Sequence, residues 1–253
     1  MAKPRTWVCN ACDHEGKTSR EHLIHIAIGR VILANRGLSP DEVREHLRTG
    51  PFREFRYLET IDDDIDSADV AWLNQEIRGL ICETCNRRWA RQLEQDAGNN
   101  LYDFTHLRGR ADARLLRRWP WFFAIKLWFA GSRPEGIAHG PLRPVLRSLA
   151  DPAVVVTMPV LVARIDSSAR DWSFAATGKG WRGADTPFFA WIIRGLVWIV
   201  AATDGPKVTL PIPATVLDSD LRLQDVQRIK QKQLVPLFTS PGRELLPPPS
   251  ADA

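Results

Sequence analysis

Two CxxC pairs place the strongest constraint on how this chain can fold. Cys9-Asn10-Ala11-Cys12 lies near the start and Cys82-Glu83-Thr84-Cys85 far downstream, and together they use every cysteine in the chain. Two such knuckles supply four thiolates, the donor set of a tetrahedral structural zinc. The alternative is four buried or redox-active cysteines, but a thioredoxin-like pair needs a βαβ setting that the flanking residues lack. His14, two residues after Cys12, is a lesser candidate to replace one thiolate. One ion shared by both pairs would tie the start of the chain to the segment before Asn86, with a long insertion between. Four cysteines in 253 residues exclude a disulfide-built scaffold.

Hydrophobic residues make up 44% and charged residues 25%, which suits a folded protein rather than a disordered one. The first residues lack the apolar stretch of a signal peptide. No run of about 18 uncharged apolar residues occurs; the nearest, Phe188 to Ala202, is broken by Arg194-Gly195. The expectation is a cytoplasmic protein with no membrane partner. A net charge of +4 permits nucleic-acid binding without requiring it. Its distribution says more: Asp41 to Asp69 is acidic, and Arg87 to Arg147 is basic.

The texture along the chain predicts an α+β protein in four parts: 1–98 with all the cysteines, 99–147 as a basic, aromatic helical connector, 148–242 as a β-rich C-terminal domain, and 243–253 as a loose tail. Ser39-Pro40-Asp41-Glu42 is a capping box with Pro at the first helical position; Val43 and Leu47 form the apolar stripe, and Gly50-Pro51 ends the helix. The acidic stretch after it reads as a solvated linker, a metal-binding loop being the sharper alternative. In the connector, Trp119, Trp121, Phe122, Phe123, Trp128 and Phe129 supply apolar faces expected to be core. Its arginines suit either solvent or a nucleic-acid backbone. Val154-Val155-Val156 and Val160 to Ile165 read as strands, and Phe189 to Val200 as a hairpin turning at Arg194-Gly195. The short Gly178-Lys179-Gly180 does not make a phosphate loop.

The chemistry-bearing residues flank the knuckles. Ser19-Arg20-Glu21-His22 follows the first, and Asn86-Arg87-Arg88-Trp89 adjoins Cys85. Trp89, Leu93 and Ala97 recur every four residues, predicting a helix from Asn86 with Arg87, Arg88 and Arg91 off the apolar stripe. A zinc clamp would bring Glu21, His22 and Asn86 to one place. A carboxylate and an amide oxygen can hold Mg²⁺ or Mn²⁺, an imidazole can take a proton from water, and arginines can hold phosphates. Singly, each residue has an ordinary reading, as a packed polar pair or a helix cap.

In their order and flanks, Cys9 to about Ala97 resembles the HNH endonucleases, the zinc-stabilised branch of the ββα-metal nucleases. The run Cys85-Asn86-Arg87-Arg88-Trp89-Ala90-Arg91-Gln92-Leu93-Glu94 is similar to a segment of one subgroup. The resemblance implies a general base at His22, metal ligands at Glu21 and Asn86, and a structural zinc on Cys9, Cys12, Cys82 and Cys85. It implies DNA as substrate, 5′-phosphate and 3′-hydroxyl products, and a setting in restriction or phage defence. Arg20, Arg87, Arg88 and Arg91 are the candidate nucleic-acid contacts. The sequence departs from the family pattern in three ways. His25 stands where a Pro is common, and is an extra ligand, a phosphate contact or a structural residue. Glu21 replaces the commoner Asp. Asn74 is the nearest candidate for the middle Asn, yet lies far from Cys82. The other readings are a non-catalytic zinc module for nucleic acid or a protein partner, which could engage the C-terminal domain, and an RNA-cleaving effector. The oligomeric state is not legible.

Overall fold

Strand β1, Thr18–His22, pairs antiparallel with β2, Glu76–Cys82, with Glu21 opposite Ile77 and His22 opposite Glu76. The register shifts between Thr18 and Arg20, a bulge of the kind that re-aims side chains near a strand end. The computed structural model that shows this describes residues 7–49, 76–106, 109–131, 142–154, 156, 159–165, 174–177, 188–201 and 213–230. Asn74, the acidic run at 59–69, the Gly178–Gly180 segment and the tail at 243–253 lie outside the described residues.

Two helices follow β1. Helix α1, Ile26–Ile32, starts at His25, whose Nδ1 accepts the Ala27 amide at 3.2 Å. Helix α2, Pro40–Thr49, carries a reciprocal capping box: the Ser39 amide donates to Glu42 Oε2 at 2.7 Å, and the Glu42 amide to Ser39 Oγ at 3.3 Å. Val43 and Leu47 are buried on its inner face.

After β2 the chain turns directly into helix. A first turn, α3 (Glu83–Cys85), passes through a π turn, Asn86–Ala90, into α4, Arg91–Thr105. The helical run thus begins at Glu83, earlier than the Trp89/Leu93/Ala97 spacing predicts. The Cys82 sulfur supplies the cap by accepting the Cys85 amide at 3.4 Å, which an apolar periodicity cannot reveal. Helix α1 crosses α4 at Gly98, where an added Cβ would lie 2.5 Å from Ala27 Cβ and 2.7 Å from the Ala27 carbonyl carbon. Gly98→Ala is therefore expected to destabilise the fold by about 1–3 kcal/mol through overpacking. This should exceed the roughly 1 kcal/mol that alanine gains over glycine in a helix. Urea unfolding checks the sign, and a stabilised variant would show that the helices can separate freely.

The basic aromatic region divides into short elements. Strand β3 (Arg110–Ala111) and α5 (Ala113–Leu116) precede α6 (Trp119–Gly131) and α7 (Leu142–Ala150). Residues 119–127 of helix α6 are apolar apart from Lys126 and are all buried. The helix packs against β2 on one flank and against a second sheet on another. Trp119 meets Trp191 and Trp198 edge-on at 6.2 and 6.0 Å. Trp119, Trp121, Phe122 and Phe123 are all buried, as expected of core aromatics. The side chains of Trp128 and Phe129 lie outside the described residues.

Among the described residues, the second sheet has six strands. They are β4 (Val160–Ile165), β5 (Phe174–Thr177), β6 (Phe188–Ile193), β7 (Leu196–Ala201), β8 (Thr215–Val216) and β10 (Arg228–Ile229). Their order is β10-β4-β7-β6-β5, with β8 also on β4. Among the described strands, only β10 runs parallel to its neighbour. Strand β9 (Leu221–Arg222) pairs separately with β3. The β6–β7 hairpin turns at Arg194 and Gly195, whose φ values of 52° and 72° are those of a type I′ turn. The run at Val154 departs from its expected strand: Val154 lies exposed in a bend after α7, and Val155 is outside the described residues. Asp151, whose side chain accepts the Ala153 amide at 2.8 Å, turns the chain there. Buried residues from Cys9 to Val226 form one contiguous cluster, so hairpin, helices and sheet share a core. Among the described residues, no helix is long and apolar enough to cross a membrane.

Candidate metal centre and adjoining polar site

The first knuckle is a tight loop built on backbone bonds. The Cys9 amide donates to the His14 carbonyl at 2.9 Å, the Gly16 amide to the Trp7 carbonyl at 3.1 Å, and Asp13 adopts φ 57° at the turn. The second knuckle is the end of β2 and the first turn of α3. Asn10, fully buried, joins the two by donating its side-chain amide to the Gly79 and Leu80 carbonyls at 3.2 and 2.9 Å.

This arrangement brings all four cysteine sulfurs within 4.8 Å of one another. Cys9 and Cys85 sulfurs are 3.9 Å apart, and those of Cys12 and Cys82 3.7 Å. A tetrahedral zinc with Zn–S bonds near 2.3 Å has S···S edges of about 3.8 Å, so the spacing fits a metal ion such as zinc. Disulfides are excluded by the same distances, which far exceed a bond of about 2.05 Å. Backbone amides aim at the sulfurs: Ala11 and Cys82 donate to Cys9 Sγ at 3.4 and 3.3 Å. Such donors stabilise thiolate charge. Burial pushes the Cys85 thiol far up, and the Cys12 thiol beside it adds to the rise. Cys82 goes down: burial raises it, but the Cys85 amide and the neighbouring thiols outweigh that. Four sulfurs this close cannot all ionise without a cation among them, which is what a divalent metal provides.

Beyond the knuckles, β1 alternates. Arg20 is exposed, while Ser19 and Glu21 point inward and are 2% and 3% exposed. Ser19 Oγ donates to the Ile81 carbonyl at 2.9 Å, locking β1 to β2. Glu21 faces a charged pair supplied by two other elements. Lys126 Nζ on α6 lies 3.7 Å from Glu21 Oε2 and donates to Glu94 Oε1 on α4 at 2.7 Å. Their placement was legible in one respect: Lys126 is the lone charge in an apolar helix, and Glu94 shares a helix face with Ala90, Ala97 and Leu101.

Two carboxylates surround one ammonium, so one negative charge is left over in a dry pocket. Burial accordingly raises Glu94 to about 7 against the pull of Lys126, with Glu21 adding to the rise. Burial raises Glu21 as well, again opposed by Lys126. Glu21 Oε1 and His22 Nδ1 are both buried and have no hydrogen-bond partner. His25 stays neutral: burial pushes it down to about 3, helped by the charges of Lys126, Arg91, His22 and Arg30. Its role in the structure is the cap of α1.

Asn86 is placed differently. Half-buried in the first turn beyond Cys85, it lines a concavity of about 640 Å³ together with Lys17, Thr18, Arg20, Glu83 and Arg87. Arg87 pairs loosely with Glu83 at 3.4 Å, and Arg87, Arg88 and Arg91 are all exposed. The structure therefore groups Asn86 with Arg20 and Arg87, and Glu21 with Lys126 and Glu94. Glu21 and His22 are not among the residues lining the Asn86 concavity. Among the described residues, the four cysteines are the only cluster of three or more Cys, His, Asp or Glu side chains close enough to hold a metal. No protein-family model matches this chain, and neither does any curated protein or solved structure.

Proposed function

We propose that the chain is a metal-dependent endonuclease of HNH type that hydrolyses DNA phosphodiester bonds. One observation carries this reading. An antiparallel hairpin bearing Glu21-His22 runs straight into a helix bearing Asn86, and four sulfurs pin the junction. A buried carboxylate oxygen with no partner, Glu21 Oε1, is an acceptor that suits a hard cation. Mg²⁺ is commonly held by only one or two protein ligands plus substrate phosphate, so a third acidic ligand is not required.

Glu21 would hold the catalytic Mg²⁺ or Mn²⁺, separate from the sulfur-bound zinc, and Asn86 would have to reach that ion from the neighbouring concavity, which Glu21 does not line. When bound, that ion supplies stabilisation of the charge developing on the phosphate and the leaving oxygen. His22 takes the proton from the attacking water at a ring nitrogen. Lys17, Arg20 and Arg87 line the concavity and draw the DNA backbone into it, with Arg88 and Arg91 on the adjoining exposed face. A function in restriction or phage defence suits such an activity.

The test is incubation of zinc-loaded protein with single- and double-stranded DNA, and with RNA, across Mg²⁺, Mn²⁺ and Ni²⁺. The expected result is nicking or cleavage of DNA that leaves 5′-phosphate and 3′-hydroxyl ends. Inertness on DNA under all these conditions rejects the reading, and cleavage of RNA alone replaces it with an RNA-cleaving effector. A second reading, a non-catalytic zinc module that grips nucleic acid through the basic concavity, is favoured by one contact: Glu21 already faces a cation, Lys126.

A further inference from the structure

The charged trio beneath β1 comes from three elements and lies almost wholly out of solvent. The side chains of Lys126, Glu94 and Glu21 are 0%, 2% and 4% exposed. An ammonium so deeply placed needs its partners, and it divides itself unequally between them. Glu94 takes a direct bond at 2.7 Å, while Glu21 is held at 3.7 Å by one oxygen, Oε2, alone. The other oxygen, Oε1, has no partner. Lys126 thus decides which Glu21 oxygen is tied and which is free. Glu94 decides how closely Lys126 can approach Glu21.

We propose that Lys126 and Glu94 are positioning residues for Glu21. The ammonium holds Oε2 so that Oε1 alone is offered to a divalent cation, and Glu94 restrains the ammonium from closing on Glu21. The proposal rests on the nuclease reading and adds to it a requirement for helix α6, from well beyond the hairpin and its helix. The plain alternative is an ion pair that merely fastens α6 to α4, with Glu21 nearby by circumstance.

The two roles differ in what Glu94→Gln and Lys126→Met do to metal affinity. Glu94→Gln leaves the ammonium a single anionic partner, so it closes on Glu21 and competes with the divalent ion. Lys126→Met removes the competing cation and lets Glu94 join Glu21 around the ion, which draws it away from His22. A charge gained or lost at this range shifts the balance about tenfold. Mn²⁺ uptake by zinc-loaded protein at pH 8, followed by electron paramagnetic resonance, should therefore weaken about tenfold in Glu94→Gln and tighten about tenfold in Lys126→Met. Cleavage should slow in both, with DNA affinity within about twofold of the wild type as a kcat effect without a KM effect.

Metal affinities that move in the same direction, or stay within about twofold in both variants, overturn the positioning role. Where Lys126→Met does not fold, the isosteric Glu94→Gln decides alone: weaker Mn²⁺ binding supports the role and unchanged binding overturns it. A Glu21→Gln arm separates the two levels of inference. If Glu21→Gln takes up Mn²⁺ as well as the wild type does, the ion does not sit on Glu21, and the metal site proposed for the nuclease falls together with the positioning role.

Discussion

Removing the metal from the four-sulfur site is expected to unfold the hairpin end of the protein. Structural zinc sites contribute about 10 kcal/mol or more in the smallest domains. Here a shared core persists beyond the knuckles, from Leu23 on through the second sheet, so a smaller loss is expected. A loss of about 5 kcal/mol would lower the melting temperature by about 10–20 °C in a chain of this size. The cause is electrostatic as well as topological. Without a cation, the buried sulfurs of Cys9, Cys82 and Cys85 crowd against one another. The Asn10 bonds to Gly79 and Leu80 then lose the knuckle that aims them. Calorimetry before and after chelation, with released zinc counted by a colorimetric dye, checks this. One zinc per chain is expected, and Cys85→Ser should reproduce the chelated state. A melting curve unchanged by complete zinc release would remove the structural role of the site.

Replacing His22 by alanine should have the largest effect on chemistry with the least effect on folding. A positioned general base contributes about 10²–10⁴-fold to a rate, so cleavage should fall by that factor. Stability should hold, because His22 is only half-buried and its Nδ1 has no partner to lose. Bound zinc should also be retained, since none of the four sulfurs touches this residue's role. Single-turnover cleavage, zinc content and the melting temperature are measured on the same preparation. Unchanged cleavage would transfer the weight to the non-catalytic module. Lost cleavage together with lost zinc would show only that the fold had failed.

The features that were legible in the sequence are local ones. CxxC spacing places two sulfurs on one tight turn, and both knuckles form as turns of that kind. The Ser39–Glu42 box, the apolar pair Val43 and Leu47, and the Arg194-Gly195 turn each depend on neighbours within a few residues. Burial of Trp119, Trp121, Phe122 and Phe123 follows from their size and apolar character.

Where the structure departs from the sequence pattern, the cause is a side-chain cap that periodicity does not encode or a tertiary partner. The helix after β2 starts at Glu83 because a sulfur caps it. Val154 is exposed because Asp151 turns the chain before a strand can form. Glu94 lies on the buried face of its helix, yet the spacing does not reveal that Lys126, 32 residues away in the sequence, meets it there. Gly98 gives no hint that Ala27 will press against it.

By itself, then, the sequence determined what short-range sterics and hydrogen bonding can determine: the knuckles, the capped helix, the type I′ turn and the apolar faces. Only the tertiary structure decided which charges lose their water. Desolvation depends on every element packed around a group, and Glu21, Glu94 and Lys126 come from three elements that meet only when the core closes. The same closure sets Asn86 beside Arg20 and turns Glu21, the next residue along the strand, toward a buried ammonium.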